Sequence, residues 1–408
     1  MVHGGDIYRN NVKIDFSVNL NPMGTPEEVM EGVRGAMGHL HCYPDIRQTK
    51  ARASIAGYEG VDIRNVYTGN GASELIMAVV RSVRPKKALL FEPGFYGYEH
   101  ALAATDCEIV HYVLLGDRKN GASVDCENAD QGHLYGNEDG TSNGVGINAF
   151  SESRNYNLSA EDVKALTEDI DLVFLCDPAN PVGVNIEDSV LELLLEAAAQ
   201  KGIVVCLDES FLLLSDKSVE KVNENGKAID DGSDTFVSQK AVATRARSNF
   251  LLNRYDNLII VSSLTKLFAL PGIRMGYVLA SEAYIGRIKA QLPEWNLSAP
   301  AEAAIVAGMK VIEETDYLTR SMELIRNERE FLMGELRKLG LWVYDSDTSF
   351  ILFRGPMELY DRLLGLGILI RDCSSFMGLG RGFYRASVRC HEDNEKLISA
   401  MGDVINGI

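Results

Sequence analysis

Leu258-Ile259-Ile260-Val261-Ser262-Ser263-Leu264-Thr265-Lys266 is the stretch that most constrains the fold. Its first half is a run of aliphatic residues, which predicts a β-strand covered on both faces, and its second half is polar. Similar runs recur at 88–91, 109–114, 172–176, 203–207 and 276–280. Helix-period segments lie between them, such as 73–82, with Ser73 as the expected cap, and 186–200. This alternation predicts an α/β fold with a mostly parallel sheet.

The pattern changes towards the C-terminus. Residues 299–339 have a helical period throughout, which predicts one long helix or two. Strands return at 350–353, 368–371 and 384–388, as in a small α+β domain. We therefore predict an N-terminal segment (1–40) that packs with the small domain, a large domain (41–290) and a small C-terminal domain (291–408). Two insertions, 116–150 and 215–250, are expected to be ordered excursions, oligomer arms or partly disordered loops.

Composition narrows the classes of function. The 408 residues are 46% hydrophobic and 24% charged, as in ordinary globular chains. With 58 acidic and 40 basic residues the net charge is −18, which argues against binding to nucleic acid or to an anionic membrane. There is no apolar run of about 20 residues and no leader-like start. Seven cysteines without a C-x-x-C pair favour a reducing compartment, so we expect a cytoplasmic enzyme without a metal site.

Lys266 carries the strongest chemical signal, because it follows the buried strand and has Ser263 and Thr265 beside it. A desolvated lysine at a strand end can lose its proton and form a Schiff base with a carbonyl. The two hydroxyl groups, together with Arg274, can hold a phosphate dianion. A lysine beside a phosphate cradle is what pyridoxal phosphate (PLP) requires. A lone S-x-T-K stretch is more often a surface lysine near a turn, so the neighbouring motifs decide.

Several other polar or aromatic residues also follow predicted strands. Asp208 could pair with a pyridinium nitrogen, Asn180 could donate to a ring oxygen, and Phe95 could stack on a flat ring. The glycine turn at 68–74 enters a helix, so its first backbone N–H groups can bind an anion. Each residue alone also fits a cap, a turn or a core position. Ligands bind at the carboxyl ends of parallel strands, so together these residues predict one site.

The motifs G-N-G-A-S-E, D-P-x-N-P-x-G, D-E-x-F and S-x-T-K-x-x-x-x-P-G-x-R-x-G occur in this order. In this they resemble the class I/II aminotransferase superfamily, fold type I of the PLP enzymes. Segments 3–5, 15–24, 370–374 and 384–389 are similar to the branch that holds threonine-phosphate decarboxylases and histidinol-phosphate aminotransferases. The resemblance implies a mostly parallel seven-stranded sheet in a large domain, a small α+β domain, and a homodimer.

The resemblance also implies roles for individual residues. Lys266 would bind PLP covalently, Asp208 would pair with the ring nitrogen, Asn180 would contact the ring oxygen and Phe95 would stack on the ring. The residues expected around the cofactor phosphate are Gly71, Ala72, Ser73, Ser263, Thr265 and Arg274, with Tyr43 reaching across from a second subunit. On the substrate side, Arg385 would bind the α-carboxylate. Arg371 and Arg381 would bind a distal phosphate, and His3 and Asn21 would assist.

The implied substrate is a small phosphorylated amino acid or amine. Decarboxylation of O-phospho-L-threonine is the first reading, and transamination of the histidinol-phosphate type is the alternative. Phe211 stands where many aminotransferases of this branch have a tyrosine, and the decarboxylases resemble the present chain there. A catalytically silent PLP-binding relative is a third reading. Against it, Lys266, Asp208, Asn180 and Arg385 are all present.

Overall fold

The computed structural model describes residues 4–114, 156–219 and 241–407. The strands in these ranges are β1 (Ile14–Asp15), β2 (Val66–Gly69), β3 (Lys87–Glu92), β4 (Glu108–Val113), β5 (Leu172–Cys176), β6 (Val204–Asp208), β7 (Leu258–Ser263), β8 (Gly276–Ala280), β9 (Trp342–Val343), β10 (Phe350–Arg354), β11 (Ile368–Leu369), β12 (Arg371–Asp372) and β13 (Phe383–Ser387). The helices are α1 (Glu27–Met37), α2 (Thr49–Glu59), α3 (Ala72–Val83), α4 (Tyr96–Leu102), α5 (Asp188–Lys201), α6 (Ala241–Arg254), α7 (Leu264–Leu267), α8 (Glu282–Lys289), α9 (Ala299–Glu314), α10 (Tyr317–Lys338), α11 (Leu359–Gly365) and α12 (His391–Asn406).

The central sheet has seven strands in the order β2-β8-β7-β6-β5-β3-β4. Only β8 runs antiparallel to its neighbours, so the predicted mostly parallel seven-stranded sheet is confirmed. Every residue of β2, β6, β7 and β8 is buried. Successive residues of β6 alternate between two apolar clusters: Val205 and Leu207 pack on one face, and Val204 and Cys206 on the other. A strand covered on both faces needs apolar residues at every position, which explains the continuous runs in the sequence.

The C-terminal part builds a second, smaller sheet. Strands β12-β13-β10-β9 form an antiparallel sheet, and β1 pairs in parallel with β11. A third apolar cluster fills this part, including Phe16 from the N-terminal segment and Leu332 from α10. A small α+β unit beside the large sheet is therefore confirmed, while the exact division at residues 40 and 290 stays a proposal.

Two local predictions need correction, and the edge strand β2 was not predicted. Segment 368–371 is not one strand, because it divides at Ile370 into β11 and β12, which join different sheets. For the helical stretch 299–339, where one long helix or two were expected, the structure has two, separated at residues 315–316. Ser73 is not the cap, since the chain turns at Gly71 (φ +78°) and α3 begins at Ala72. Strand β2 was missed because it is a four-residue edge strand that ends in glycine, too short for a periodic signal.

The two predicted insertions differ in what the structure describes. Segment 116–150 lies outside the described residues, as do residues 220–240 of the second. The flanks of the second insertion are described: a 3-10 turn at Asp216–Val219 and the helix α6. No helix in the described ranges is both long enough and apolar enough to cross a membrane.

Candidate active site

The carboxyl ends of the central strands and one face of the small sheet enclose a cavity of about 230 Å³. Most of the residues predicted for the site line it: Ala72, Ser73, Phe95, Asn180, Asp208, Ser263, Thr265, Lys266, Arg274, Arg371 and Arg385. These side chains come from distant parts of the sequence. The open parallel sheet brings them together because its strands end at a common edge.

Lys266 lies in the short helix α7, directly after β7, and reaches into the cavity. Its pKa is lowered from 10.5 to about 8, chiefly because burial removes the ammonium group from water and also because Arg385 and Arg274 repel it. Nζ lies 5.9 Å from the centre of the Phe211 ring. Among the described residues, no hydrogen bond engages Nζ, so a neutral, nucleophilic amine is accessible at mildly alkaline pH.

Asp208 is the last residue of β6 and is almost fully buried. Its Oδ2 accepts a hydrogen bond from the Tyr98 hydroxyl (2.7 Å) and its Oδ1 accepts one from the Ser210 backbone N–H (2.9 Å). The Tyr98 ring is itself fixed by stacking on Phe174, with centres 4.7 Å apart. Burial raises the pKa of Asp208, while the two hydrogen bonds and Lys266 oppose that rise. These contacts orient the carboxylate so that it can accept a hydrogen bond from a protonated ring nitrogen.

A cradle of donors lies on the other side of Lys266. Ser263 Oγ and Thr265 Oγ1 are 2.7 Å apart, and α3 begins at Ala72, where Ala72 and Ser73 line the cavity. Arg274 Nη2 donates to the Asn70 carbonyl at 3.3 Å. A Cβ atom at Gly71 (φ +78°) would come within 2.7 Å of that Nη2, so a side chain there would displace the guanidinium from this position. Hydroxyls, a guanidinium and a helix N-terminus fit a phosphate dianion.

Asn180 and Phe95 complete the walls of the cavity. The Asn180 side-chain oxygen accepts a hydrogen bond from Arg385 Nη1, which links the turn after β5 to the small sheet. Phe95 precedes α4 and packs edge-on against Tyr98, with ring centres 5.4 Å apart. The donors, the acid, the lysine and the aromatic wall together fit PLP: phosphate at the cradle, ring nitrogen at Asp208, and aldehyde at Lys266.

Two arginines from the small sheet form the opposite end of the cavity. Arg371 on β12 and Arg385 on β13 face each other across the ladder, and both are at least nine-tenths buried. Arg385 Nη2 donates to the Ser17 carbonyl (3.0 Å), and Arg371 Nη2 to Ser375 Oγ (3.3 Å). Arg385 Nε and Arg371 Nη1 are buried without an acceptor in the described part of the chain.

Burial lowers the pKa of both guanidinium groups, that of Arg385 to about 10. Burying two cations with unpaired N–H groups raises the free energy of the folded state unless an anion neutralises them. This end of the cavity can therefore bind carboxylate or phosphate groups.

Four of the predicted site residues that the structure describes do not line the cavity: Gly71, which turns the chain into α3, and Asn21, Arg381 and Tyr43. Asn21 is a correction: its amide donates to the Leu267 carbonyl (3.0 Å), to Tyr317 OH (3.0 Å) and to Ser321 Oγ (2.8 Å), so it joins α10 to the segment after Lys266. Arg381 is exposed in the loop before β13. Tyr43 is 81% exposed, with its ring 4.9 Å from Trp295, and its role towards a second subunit stays a prediction. His3 lies outside the described residues.

Sequence reasoning missed some of the lining residues. Asn19 is 3% exposed, lines the cavity, and its Oδ1 has no donor among the described groups. Tyr98, the partner of Asp208, was not singled out either. A polar residue inside an apolar stretch, as in Val18-Asn19-Leu20, was the available signal for Asn19. Tyr98 gave none, because it looks like an ordinary core aromatic of α4.

Comparison with known proteins extends these observations. The family description "Aminotransferase class I and II" matches residues 11–133 and 137–401. Threonine-phosphate decarboxylase from Salmonella typhimurium is 27% identical, covering 97% of this chain and 92% of that protein. A histidinol-phosphate aminotransferase from Caldanaerobacter subterraneus subsp. tengcongensis is 26% identical, covering 97% and 93%. The crystal structure of histidinol-phosphate aminotransferase from Sinorhizobium meliloti in complex with pyridoxal-5'-phosphate superposes with a TM-score of 0.75 at 18% identity, covering 100% and 95%.

Proposed function

The chain belongs to the class I and II aminotransferase family of PLP-dependent enzymes, and from that premise we propose that it decarboxylates O-phospho-L-threonine or a close analogue. The observation that carries the proposal is the pair of buried arginines, Arg371 and Arg385, facing each other at one end of the cavity. A phosphorylated amino acid carries two anionic groups, and each would neutralise one guanidinium.

The cofactor end takes PLP in this proposal. Ser263, Thr265 and Arg274, with the start of α3, would hold its phosphate, and Asp208 would hold the protonated ring nitrogen. In this site PLP would supply an electron sink for the bond that breaks at the substrate α-carbon. Asp208 supports this by remaining an oriented anion, because Tyr98 and Ser210 donate to its two oxygens.

The arginine nearer the cofactor sets the geometry of the substrate. Arg385 hydrogen-bonds to Asn180 and to the Ser17 carbonyl, so its position relative to the cofactor end is fixed. We propose that Arg385 binds the α-carboxylate of the substrate and that Arg371, beside Ser375, binds its distal phosphate. Arg385 would hold the α-carboxylate in a fixed position, and Lys266 Nζ would deliver the proton that replaces CO2 at the α-carbon.

A homodimer in the cytoplasm is also part of the proposal. The exposed Tyr43 would reach the phosphate of the partner's cofactor. Size-exclusion chromatography with light scattering tests the assembly: a dimer is expected, and a monomer that binds PLP tightly would contradict the role of Tyr43.

The reaction is tested with carboxyl-labelled O-phospho-L-threonine and the PLP-loaded enzyme. We expect labelled CO2 to be trapped while the absorbance band of the lysine-bound cofactor persists through turnover. Unphosphorylated L-threonine is the matched control and should react far more slowly. Conversion of the cofactor to pyridoxamine phosphate without CO2 release would contradict decarboxylation. It would instead favour amino transfer, which is then tested with histidinol phosphate and 2-oxoglutarate.

A further inference from the structure

Arg247 of helix α6 lies in the interior of the protein, behind the residues that line the active site. Arg247 is 9% exposed and has a carboxylate at each arm of its guanidinium. Nη2 donates to Asp177 Oδ2 at 2.8 Å, and Nη1 donates to Glu209 Oε1. Among the described residues, Arg247 alone has hydrogen bonds to both carboxylates. We call this contact the Arg247 bridge.

The two acids of the bridge are the first residues after neighbouring strands. Cys176 of β5 pairs with Asp208 of β6, so Asp177 and Glu209 are the next residues along the same edge of the sheet. The backbone ladder continues past the strand ends, with Asp177 N donating to the Asp208 carbonyl at 3.0 Å. Side chains alternate between the faces of a strand. Cys176 and Asp208 therefore face the cavity, while Asp177 and Glu209 point to the face below it.

Without a cation, these two acids would push the strand ends apart. Asp177 is fully buried and Glu209 is 6% exposed. Burial raises the pKa of Glu209 to about 7, with Arg247 opposing the rise and Asp177 adding to it. Lys217 supplies a second cation to Asp177 (Nζ to Oδ2, 3.2 Å). Its charge also lowers the pKa of Glu209, but less than Arg247 does, and no hydrogen bond joins Lys217 to Glu209 among the described residues. Like charges opposite each other on paired strands are destabilising, so Glu209 depends on Arg247.

We propose that Arg247 is a positioning residue for the cofactor site: by joining the ends of β5 and β6 from below, it fixes Asp208 and Asn180 relative to each other above. The inference rests on the proposed roles of these two residues towards PLP. Asp208 immediately precedes Glu209, and Asn180 lies three residues after Asp177. A shift of either strand end therefore moves a group that would contact the ring. Geometry of this kind must be held by supporting side chains whose own contacts are fixed.

The test compares two Arg→Met substitutions in α6. Arg247→Met removes the bridge. Arg254→Met is the matched control, since Arg254 is 42% exposed and pairs at the surface with Glu192 and Glu196. For R247M we expect the dissociation constant of PLP to rise about tenfold and kcat to fall about tenfold, with KM within about twofold of the wild type. The visible circular dichroism of bound PLP should also change. R254M should match the wild type in all four measurements.

Two further variants separate positioning from mere stability. Arg247→Lys keeps the positive charge, but a single ammonium group cannot bind both carboxylates in the way that the guanidinium does. This variant should therefore recover only part of the PLP affinity. It also serves as the test if R247M does not fold. The double variant E209Q/R247M removes the unpaired acid and should bind PLP more tightly than R247M. The inference is overturned if folded R247M or R247K binds PLP as the wild type does with an unchanged circular dichroism signal. It is also overturned if E209Q/R247M is no better than R247M.

Two of the four measurements, PLP affinity and circular dichroism, do not depend on the substrate assignment. PLP affinity and circular dichroism are measured without substrate, so a wrong substrate would leave them unchanged. If Asp208→Ala and Lys266→Ala bound PLP as the wild type does, the proposed cofactor roles would fail. A wild-type-like R247M beside an impaired D208A would instead overturn the Arg247 bridge alone.

Discussion

The two ends of the active-site cavity differ in how their polar groups are satisfied. At the cofactor end, Asp208 accepts two hydrogen bonds and the hydroxyls of Ser263 and Thr265 pair with each other. Lys266 Nζ and Ser210 Oγ are the groups there that lack a partner among the described residues. At the substrate end, Arg371 Nη1 and Arg385 Nε are buried without an acceptor in the described residues. The first set comes from the seven-stranded sheet and the second from the small sheet.

This difference suggests a division of labour. A resident cofactor needs a prepared site, and the oriented side chains around Asp208 provide one before any substrate arrives. A transient anionic substrate is bound most strongly where buried donors lack partners, because it supplies the missing acceptors. Substitutions at the cofactor end should therefore affect the catalytic step, and substitutions at the substrate end should affect which substrates are used. The predictions below test this division, starting with the largest effect.

Replacing Lys266 with alanine should have the largest effect, since it would remove the proposed nucleophile and proton carrier at the cofactor end. We expect turnover to fall by about 10⁴-fold or more and the absorbance band of lysine-bound PLP to disappear. Steady-state assays and a visible spectrum measure both. Lys310→Ala, at an exposed residue of α9, is the control and should behave as the wild type. Turnover of K266A near the wild-type level would contradict the assignment.

Arg385→Met should impair substrate use without loosening the cofactor. If this buried cation binds the α-carboxylate as proposed, its removal should lower kcat/KM by about 10²–10³-fold, while PLP affinity stays within about threefold. Kinetic assays and PLP titration measure the two quantities. Arg385→Lys should restore only part of the activity, because a single ammonium cannot form the paired contacts of a guanidinium. A large loss of PLP affinity with kcat/KM unchanged would contradict the division of labour.

Arg371→Met should separate phosphorylated from unphosphorylated substrates. If Arg371 binds the distal phosphate, kcat/KM for O-phospho-L-threonine should fall by about 10–10²-fold, mostly through KM, and the slow reaction with L-threonine should barely change. Parallel kinetics with both substrates measure the ratio. An equal loss for both would mean that Arg371 does not bind the phosphate.

The reaction of cofactor-free enzyme with PLP should depend on pH through Lys266. Its lowered pKa of about 8 means that the neutral amine increases about tenfold between pH 7 and pH 9. The rate of PLP attachment, followed by absorbance, should therefore rise with pH and level off above about 9. An ordinary lysine, with a pKa of 10.5, would still show a rising rate at pH 10. A rate independent of pH between 7 and 9 would contradict the lowered pKa.

Much of the fold was predictable, because strands buried on both faces must be apolar throughout. Segments 172–176 and 276–280 were predicted with their observed bounds. Short elements were not predictable in this way. Strand β2 has only four residues, and the break at Ile370 between β11 and β12 depends on which partner strand each half meets.

The residues of the candidate site were predictable where a motif follows a strand, as with Lys266 and Asp208. The roles of the other residues depend on contacts between distant parts of the chain. Asn21 looks like a ligand residue, but its donors are used by groups some 250–300 residues away, which no local pattern reveals. Arg247 gave no signal for the same reason. Its two carboxylate partners lie 38 and 70 residues away in the chain.

The most direct test of the account is a crystal structure of K266A with PLP and O-phospho-L-threonine bound. The account predicts the substrate carboxylate within hydrogen-bond distance of Arg385 and the substrate phosphate within hydrogen-bond distance of Arg371, so that Arg385 Nε and Arg371 Nη1 gain acceptors. A substrate bound with neither anionic group at these two arginines would contradict it.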